Sequence, residues 1–196
     1  MNKRTILALT GASGMAYALS LLENLTTHDR EVYVIISDAA RKVLELEEGD
    51  CTLRFSAAKR VYTERDISAP FASGSWKHAG MVVCPCSMAS LSAIANGLGS
   101  NLIHRAADVT LKERRPLILV PRETPLNRVH LKNMLSAHDC GACILPPCPG
   151  FYTQPRDLDD LLLVFTSRVM DQLGIENNLS RRWEGDVSSP AETTTV

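Results

Sequence analysis

The chain has 196 residues, a formal net charge of −1, and 45% hydrophobic against 22% charged residues. That length suits one domain with a full core, and the near-neutral charge argues against a globally electrostatic nucleic-acid binder. No apolar run approaches the roughly 20 residues of a membrane-spanning helix. Met1 to Arg4 lead straight into an apolar strand with no signal peptide in view, so a cytoplasmic location with reduced thiols is expected.

Ile6 to Leu9 read as a strand buried on both faces. Gly11-Ala12-Ser13-Gly14 follow as a tight turn, and Ala18, Leu21, Leu22 and Leu25 give helical spacing. A strand, a small-residue turn and a helix place free N–H groups and a positive helix end where a phosphate would sit. The dinucleotide fingerprint G-x-G-x-x-G is incomplete, and no P-loop Lys follows; a plain βα turn is the other reading. Val32 to Ile36 form the next strand, and Ser37-Asp38 cap a helix over Ala39 to Glu47. The stretch from Gly49 to Lys77 is weakly patterned, with a short strand near Val61. Met81 to Cys84 form a strand that Pro85 breaks, and Ser87 caps a helix running towards Asn96. A helix over Asn101 to Lys112, a strand over Leu117 to Val120, a helix over His130 to Ala137, a short strand over Cys143 to Leu145 and a helix over Leu158 to Leu173 complete the pattern.

Such alternation predicts a three-layer αβα fold around a doubly wound, mostly parallel sheet, Rossmann-like or flavodoxin-like. Residues 1–176 read as one domain, and 177–196 as a polar tail, disordered in part or packed on a neighbouring subunit; Ser188 to Val196 look disordered. In an open α/β sheet the polar strand ends at Gly11 to Ser13, Ser37, Cys84 to Ser87 and Pro121 to Glu123 share one carboxyl edge and can converge on one ligand.

Cations concentrate between Arg105 and Lys132. Arg105 and Lys112 share a face of one predicted helix, and Arg122 sits at a strand's carboxyl end. A small anionic ligand suits those residues better than nucleic acid, since no aromatic ladder interleaves them. Glu123, beside Arg122, is either an acid–base group or an ordinary ion pair. Cys140 and Cys143 have C-x-x-C spacing, but Cys84-Pro-Cys86 is too close to complete a usual zinc knuckle. No metal is expected, and the cysteines read as packing residues. His28, His78 and His138 read as surface or loop residues, and His104 and His130 as helix residues without a task.

Thr10-Gly-Ala-Ser-Gly14, Ser37-Asp-Ala-Ala-Arg41, Ser73-Gly-Ser75, Cys84-Pro-Cys-Ser87, Arg105-Ala-Ala-Asp108, Leu111-Lys-Glu-Arg-Arg-Pro-Leu117, Pro121-Arg-Glu-Thr-Pro125 and Pro149-Gly-Phe-Tyr152 occur in that order. Together they resemble the UbiX-type flavin prenyltransferases, from about residue 4 to residue 175. The resemblance implies transfer of a dimethylallyl group from dimethylallyl monophosphate to N5 and C6 of reduced FMN. The product, prenylated FMN, serves UbiD-type decarboxylases in ubiquinone synthesis or aromatic-acid breakdown. By the same resemblance FMN contacts Gly11, Ala12, Ser13, Ser37, Ser87, Met88, Ala89, Ser90 and Arg122. Arg105, Lys112, Tyr152 and Arg168 hold the donor phosphate. Ser13, Glu47, Glu123 and Lys112 take the catalytic roles, the first three in proton handling. A metal-independent homododecamer with sites shared between subunits is also implied.

Fixed cations suit this chemistry, because ionising an allylic phosphate builds negative charge on the leaving group. A planar allylic cation needs a dry aromatic wall, which Trp76 would supply unless it is a core residue. An FMN-dependent cysteine decarboxylase of related fold and a non-catalytic FMN carrier are the competing readings. A short-chain dehydrogenase is excluded, since no Tyr-x-x-x-Lys occurs.

Overall fold

The computed structural model describes residues 2–50 and 52–185. The expected disorder from Ser188 onward lies outside the described residues. Strands β1 (Arg4–Leu9), β2 (Glu31–Ile36), β3 (Arg60–Thr63), β4 (Gly80–Cys86), β5 (Leu117–Pro121) and β6 (Cys143–Ile144) form one six-stranded sheet in the order β3-β2-β1-β4-β5-β6. Every pairing between neighbours is parallel. The chain winds outward from β1 to one edge, returns to the centre at β4 and winds to the other edge. The order therefore reverses between β1 and β4, and the crevice at that switch point is where doubly wound folds bind ligands.

Helices cover both faces, so the central strands are apolar without alternation. On one face Leu7, Leu9, Val34, Val82 and Ile118 meet α1 (Met15–Thr27), α2 (Asp38–Glu48) and α6 (Leu158–Gln172). On the other, Ile6, Ala8, Val83 and Leu119 meet α3 (Met88–Ala95), α4 (Leu102–Lys112) and the inner side of α5 (Arg128–Asp139). Helix starts are written in the sequence. Ser37, Ser87, Asn101, Asn127 and Asp157 each accept from a backbone N–H in the first turn that follows. His130, read as having no task, closes a capping box with Asn127.

The weakly patterned stretch from Gly49 to Lys77 holds edge strand β3 and 3-10 turns at Thr52–Ala57 and Pro70–Ala72. It carries Phe71, fully buried and edge-on to Tyr33, Tyr62 and Trp76 with centroids 6.4, 5.0 and 5.7 Å away. Each such aromatic pair adds about 0.5–1.5 kcal/mol beyond burial of area. Trp76 therefore belongs to the core cluster. The Arg4 guanidinium lies 4.9 Å from its ring centroid, so Trp76 sits where β1 begins, at the opposite edge from the strand ends. The aromatic wall expected of Trp76 is not there within this chain.

Pro85 does not end its strand. β4 runs on to Cys86, and the ladder with β5 shifts register between Val83 and Cys86 because a proline offers no N–H. The Pro85 carbonyl instead accepts from the Thr10 N–H at 3.3 Å and the Thr10 hydroxyl at 2.8 Å. Thr10 Oγ1 in turn accepts from the Ser87 N–H at 2.7 Å, which ties the ends of β1 and β4 across the switch point.

Thr10 is 2% exposed. Thr10→Val keeps its shape but leaves the Ser87 N–H unpaired, while the Pro85 carbonyl keeps the Thr10 N–H, so urea denaturation should show a loss of about 1–3 kcal/mol, with most of it restored by Ser at that position.

Candidate active site

Around the stitched strand ends, the turn after β1 is shaped by two glycines. A Cβ on Gly11 would lie 2.5 Å from Ala39 Cβ, so only glycine lets the turn approach the start of α2 this closely. Gly14 has φ of 104°, a left-handed conformation that few side chains tolerate, and it begins α1 without a capping side chain of its own.

Glu47, from the last turn of α2, supplies the missing cap. Its Oε2 accepts from the N–H of Gly14 at 2.9 Å and of Met15 at 2.8 Å. Burial works against its ionisation. Hydrogen bonds from Ser13, Met15 and Gly14, with the charge of Arg122, outweigh that and hold the carboxyl below its ordinary range. Glu47 is thus an anion already seated on the start of α1, the place the sequence reading reserved for a phosphate. Arg122, at the end of β5, donates from Nε to the Ser13 carbonyl at 3.1 Å and completes the cluster of Ser13, Glu47 and Arg122.

The start of α3 is open by comparison. Ser87 Oγ accepts from the Ser90 N–H at 3.3 Å and donates to Ser90 Oγ at 3.2 Å, while the N–H groups of Met88 and Ala89 have no partner among the described residues. Ser37 Oγ accepts from the Ala40 N–H at 3.0 Å and keeps its own proton to give. Gly11, Ala12, Ser13, Ser37, Ser87, Met88, Ala89, Ser90 and Arg122 thus share one sheet edge. Hydroxyls and free N–H groups there, with a cation, fit a phosphorylated ligand.

Tyr17 lies beside this turn and was not anticipated. It packs edge-on to Phe165 at 4.8 Å, and burial, with Cys84 and Cys148 nearby, pushes its hydroxyl pKa up. Phe165 lines an adjoining cavity of about 400 Å³ with Leu145, Pro146, Tyr152, Val164 and Arg168. Tyr152 and Arg168, expected together at the donor phosphate, both line this cavity. Tyr152 stands edge-on to Trp183, centroids 5.7 Å apart. Trp183 thus places a second aromatic ring against Tyr152. Its lone aromatic ring in a polar tail was the available signal.

Arg105 and Lys112 do not join this cluster within one chain. Arg105 pairs with Asp108 at 2.9 Å and donates from Nε to the Ala72 carbonyl at 3.1 Å. Lys112 ends α4 beside Glu113 at 2.8 Å, and a Cβ on Gly74 would lie 2.9 Å from its Nζ. Because α4 runs back against the strands, that end lies where β4 and β5 begin, next to Pro116. Glu123 is neither paired with Arg122 nor turned towards Glu47; its Oε1 accepts from the Thr124 N–H at 3.0 Å. Among the described residues Glu123 makes no ion pair and no hydrogen bond to Ser13 or Glu47.

His104 and His130 lie on helices as read, and His78 lies in a loop but not at the surface. His78 is buried, with its pKa lowered to about 4 by burial and by the Arg115 charge, and His104 is buried as well. Cys84 and Cys86 are buried, and burial pushes the Cys86 thiol up to about 12, so packing suits both. Cys140 and Cys148 are exposed and pack nothing.

The flavoprotein family model matches residues 1–165. The flavin prenyltransferase LpdB of Lactiplantibacillus plantarum is 46% identical over 186 residues, covering 94% of this chain and all of the relative. The chain belongs to the flavin prenyltransferases of the flavoprotein family. A crystal structure of AnUbiX (PadA1) in complex with FMN and dimethylallyl pyrophosphate superposes with a TM-score of 0.90 at 38% identity, covering 94% of this chain and 99% of that one. A dodecameric FMN-dependent UbiX-like decarboxylase from Escherichia coli O157:H7 superposes at 0.89 with 39% identity, covering 93% and 100%.

Because Glu47 has a lowered pKa in the folded chain, its contribution is present above the ordinary carboxylate pKa and is lost as pH falls through the folded value. Wild type should exceed Glu47→Gln in stability by about 0.5 kcal/mol near neutrality. In thermal melts across pH, that gap should close below the ordinary carboxylate range.

Proposed function

We propose that this chain is a flavin prenyltransferase that joins a dimethylallyl group, from dimethylallyl monophosphate, to reduced FMN. The observation that carries the reading is the adjacency of two sites. Hydroxyls, free N–H groups and Arg122 gather at the switch point, and Phe165, which packs on Tyr17 beside the same turn, lines a cavity that also holds Tyr152 and Arg168. When bound, reduced FMN supplies the nucleophilic nitrogen and ring carbon.

The chain's own residues then have separable tasks. Ser37, the Met88 and Ala89 N–H groups and Ser90 take the flavin phosphate, and Gly11 with Ala12 lets the ring lie flat against the turn. Arg168 and the Tyr152 hydroxyl bind the donor phosphate and gain strength as charge builds on it. Ser13 is placed to accept a proton from the ring nitrogen and hand it to Glu47, whose carboxylate is held in the charged, accepting form. Tyr152 and Trp183 offer aromatic surface to a cationic allyl group.

Lys112, Arg105 and Glu123 serve a neighbouring copy or receive its residues. Lys112 stands at the far edge of the sheet, so a site containing both Glu47 and Lys112 spans two chains. A homododecamer in the cytoplasm, delivering prenylated FMN to a UbiD-type decarboxylase, completes the proposal. The competing cysteine-decarboxylase and carrier readings leave the cationic cavity without a purpose.

Anaerobic incubation with reduced FMN and dimethylallyl monophosphate should yield a flavin heavier by one C5 unit; an unchanged flavin mass would sink the assignment. Arg168→Ala should raise the KM for the donor on the order of tenfold, the loss of one charge-assisted hydrogen bond, while FMN affinity stays within about twofold.

A further inference from the structure

The donor cavity borders a set of contacts in the stretch read as a polar tail. Asp171, on the last turn of α6, is the shared partner of two guanidinium groups. Arg182 grips it with both nitrogens, Nη1 to Oδ2 at 2.5 Å and Nη2 to Oδ1 at 2.8 Å. Arg168 donates only from Nη1, to Oδ2 at 2.8 Å. Asn177, buried, adds Nδ2 to Oδ1 at 3.1 Å, and its carbonyl accepts from Arg182 Nη2 at 3.1 Å.

Two features of this geometry bear on the cavity. One carboxylate faces two cations, so a full positive charge is left over, and a bidentate pair is the stronger claimant. Arg182 consumes that pair, while Arg168 keeps Nε and Nη2 for the cavity it lines. The second feature is covalent. Arg182 adjoins Trp183, so gripping Arg182 also fixes where Trp183 can reach, and Trp183 packs on Tyr152 from the same cavity.

We propose that Asp171 is the positioning residue of the donor cavity, orienting Arg168 into it and latching the segment from Asn177 to Trp183 so that Trp183 rests against Tyr152. This deepens the proposed prenyl transfer and rests on that reading for its kinetic consequence. The latch itself is a statement about the chain alone. Asp171 touches neither cleft nor donor, so its effect passes through Arg168 and Trp183. Burial raises its pKa less than Arg182, foremost, with Arg168 and Asn177 lowers it, so the latch carries its charge at neutral pH.

The test uses the full chain in a Trp76→Phe background, which leaves Trp183 as the single tryptophan. Trp183 is 68% exposed even when latched, so its mobility, not its accessibility, reads the latch. Asp171→Asn should lower the fluorescence anisotropy of Trp183 to that of a freely moving side chain and raise the KM for dimethylallyl monophosphate about tenfold, with kcat and FMN affinity within twofold. Arg182→Gln should reproduce the anisotropy change with a smaller rise in KM, because Arg168 keeps its partner; it also serves if Asp171→Asn folds poorly. Unchanged anisotropy in both variants would overturn the latch, and unchanged KM with altered anisotropy would overturn the positioning role. If the wild-type protein makes no heavier flavin, prenyl transfer itself fails, and anisotropy still decides the latch.

Discussion

Every strand of this sheet runs the same way, so every connecting helix must run back, and the two ends of the sheet are chemically unlike. At one edge all the strand ends and the starts of their following helices gather: the Gly11–Gly14 turn, Ser37, Ser87 and Arg122. At the other lie the strand starts and the end of α4, with Arg4, Trp76, Gly74 and Lys112 together. A residue at one edge cannot reach the other within the same chain. That single constraint divides the candidate site residues of the chain into a part that meets and a part that does not.

The part that meets is held by polar stitching. Thr10 joins β1 to β4 across the switch point, Glu47 caps α1 from a different helix, and Arg122 bridges the Ser13 carbonyl to the same cluster. These contacts fix backbone groups, so the cleft is formed before any ligand arrives. The adjoining cavity is built differently. Its tyrosine and arginine are placed by a loop and by α6, and the segment after α6 is drawn in by Asp171. A rigid cleft beside a latched cavity suits a reaction in which the flavin must stay still while a small donor enters and its phosphate leaves.

Much of this was legible in the sequence because local rules and fold agree. Buried parallel strands read as unbroken apolar runs, caps such as Ser37, Ser87 and Asn101 mark helix starts, and small residues mark the strand ends that form the cleft. Pro85 misled because its strand loses a ladder hydrogen bond but gains Thr10 as a partner, a contact between residues far apart in sequence. Trp76 and Lys112 could not be placed for one shared reason: residue type and spacing cannot say at which edge of the sheet a side chain emerges. The polar tail hid Arg182 and Trp183, whose roles depend on Asp171 in another element. Glu47 was picked out by family resemblance; its task as the cap of α1 shows only in the fold.

The central claim is that a working site takes Glu47 from one chain and Lys112 from another. Mixing Glu47→Gln with Lys112→Ala subunits, dissociated and reassembled at equal amounts, measures it directly. Each variant alone should be nearly inactive, and the mixed assembly should recover about one quarter of wild-type prenylated-flavin formation, the share of random pairings that carry both native residues. No recovery in assemblies shown to be mixed would contradict a site divided between chains.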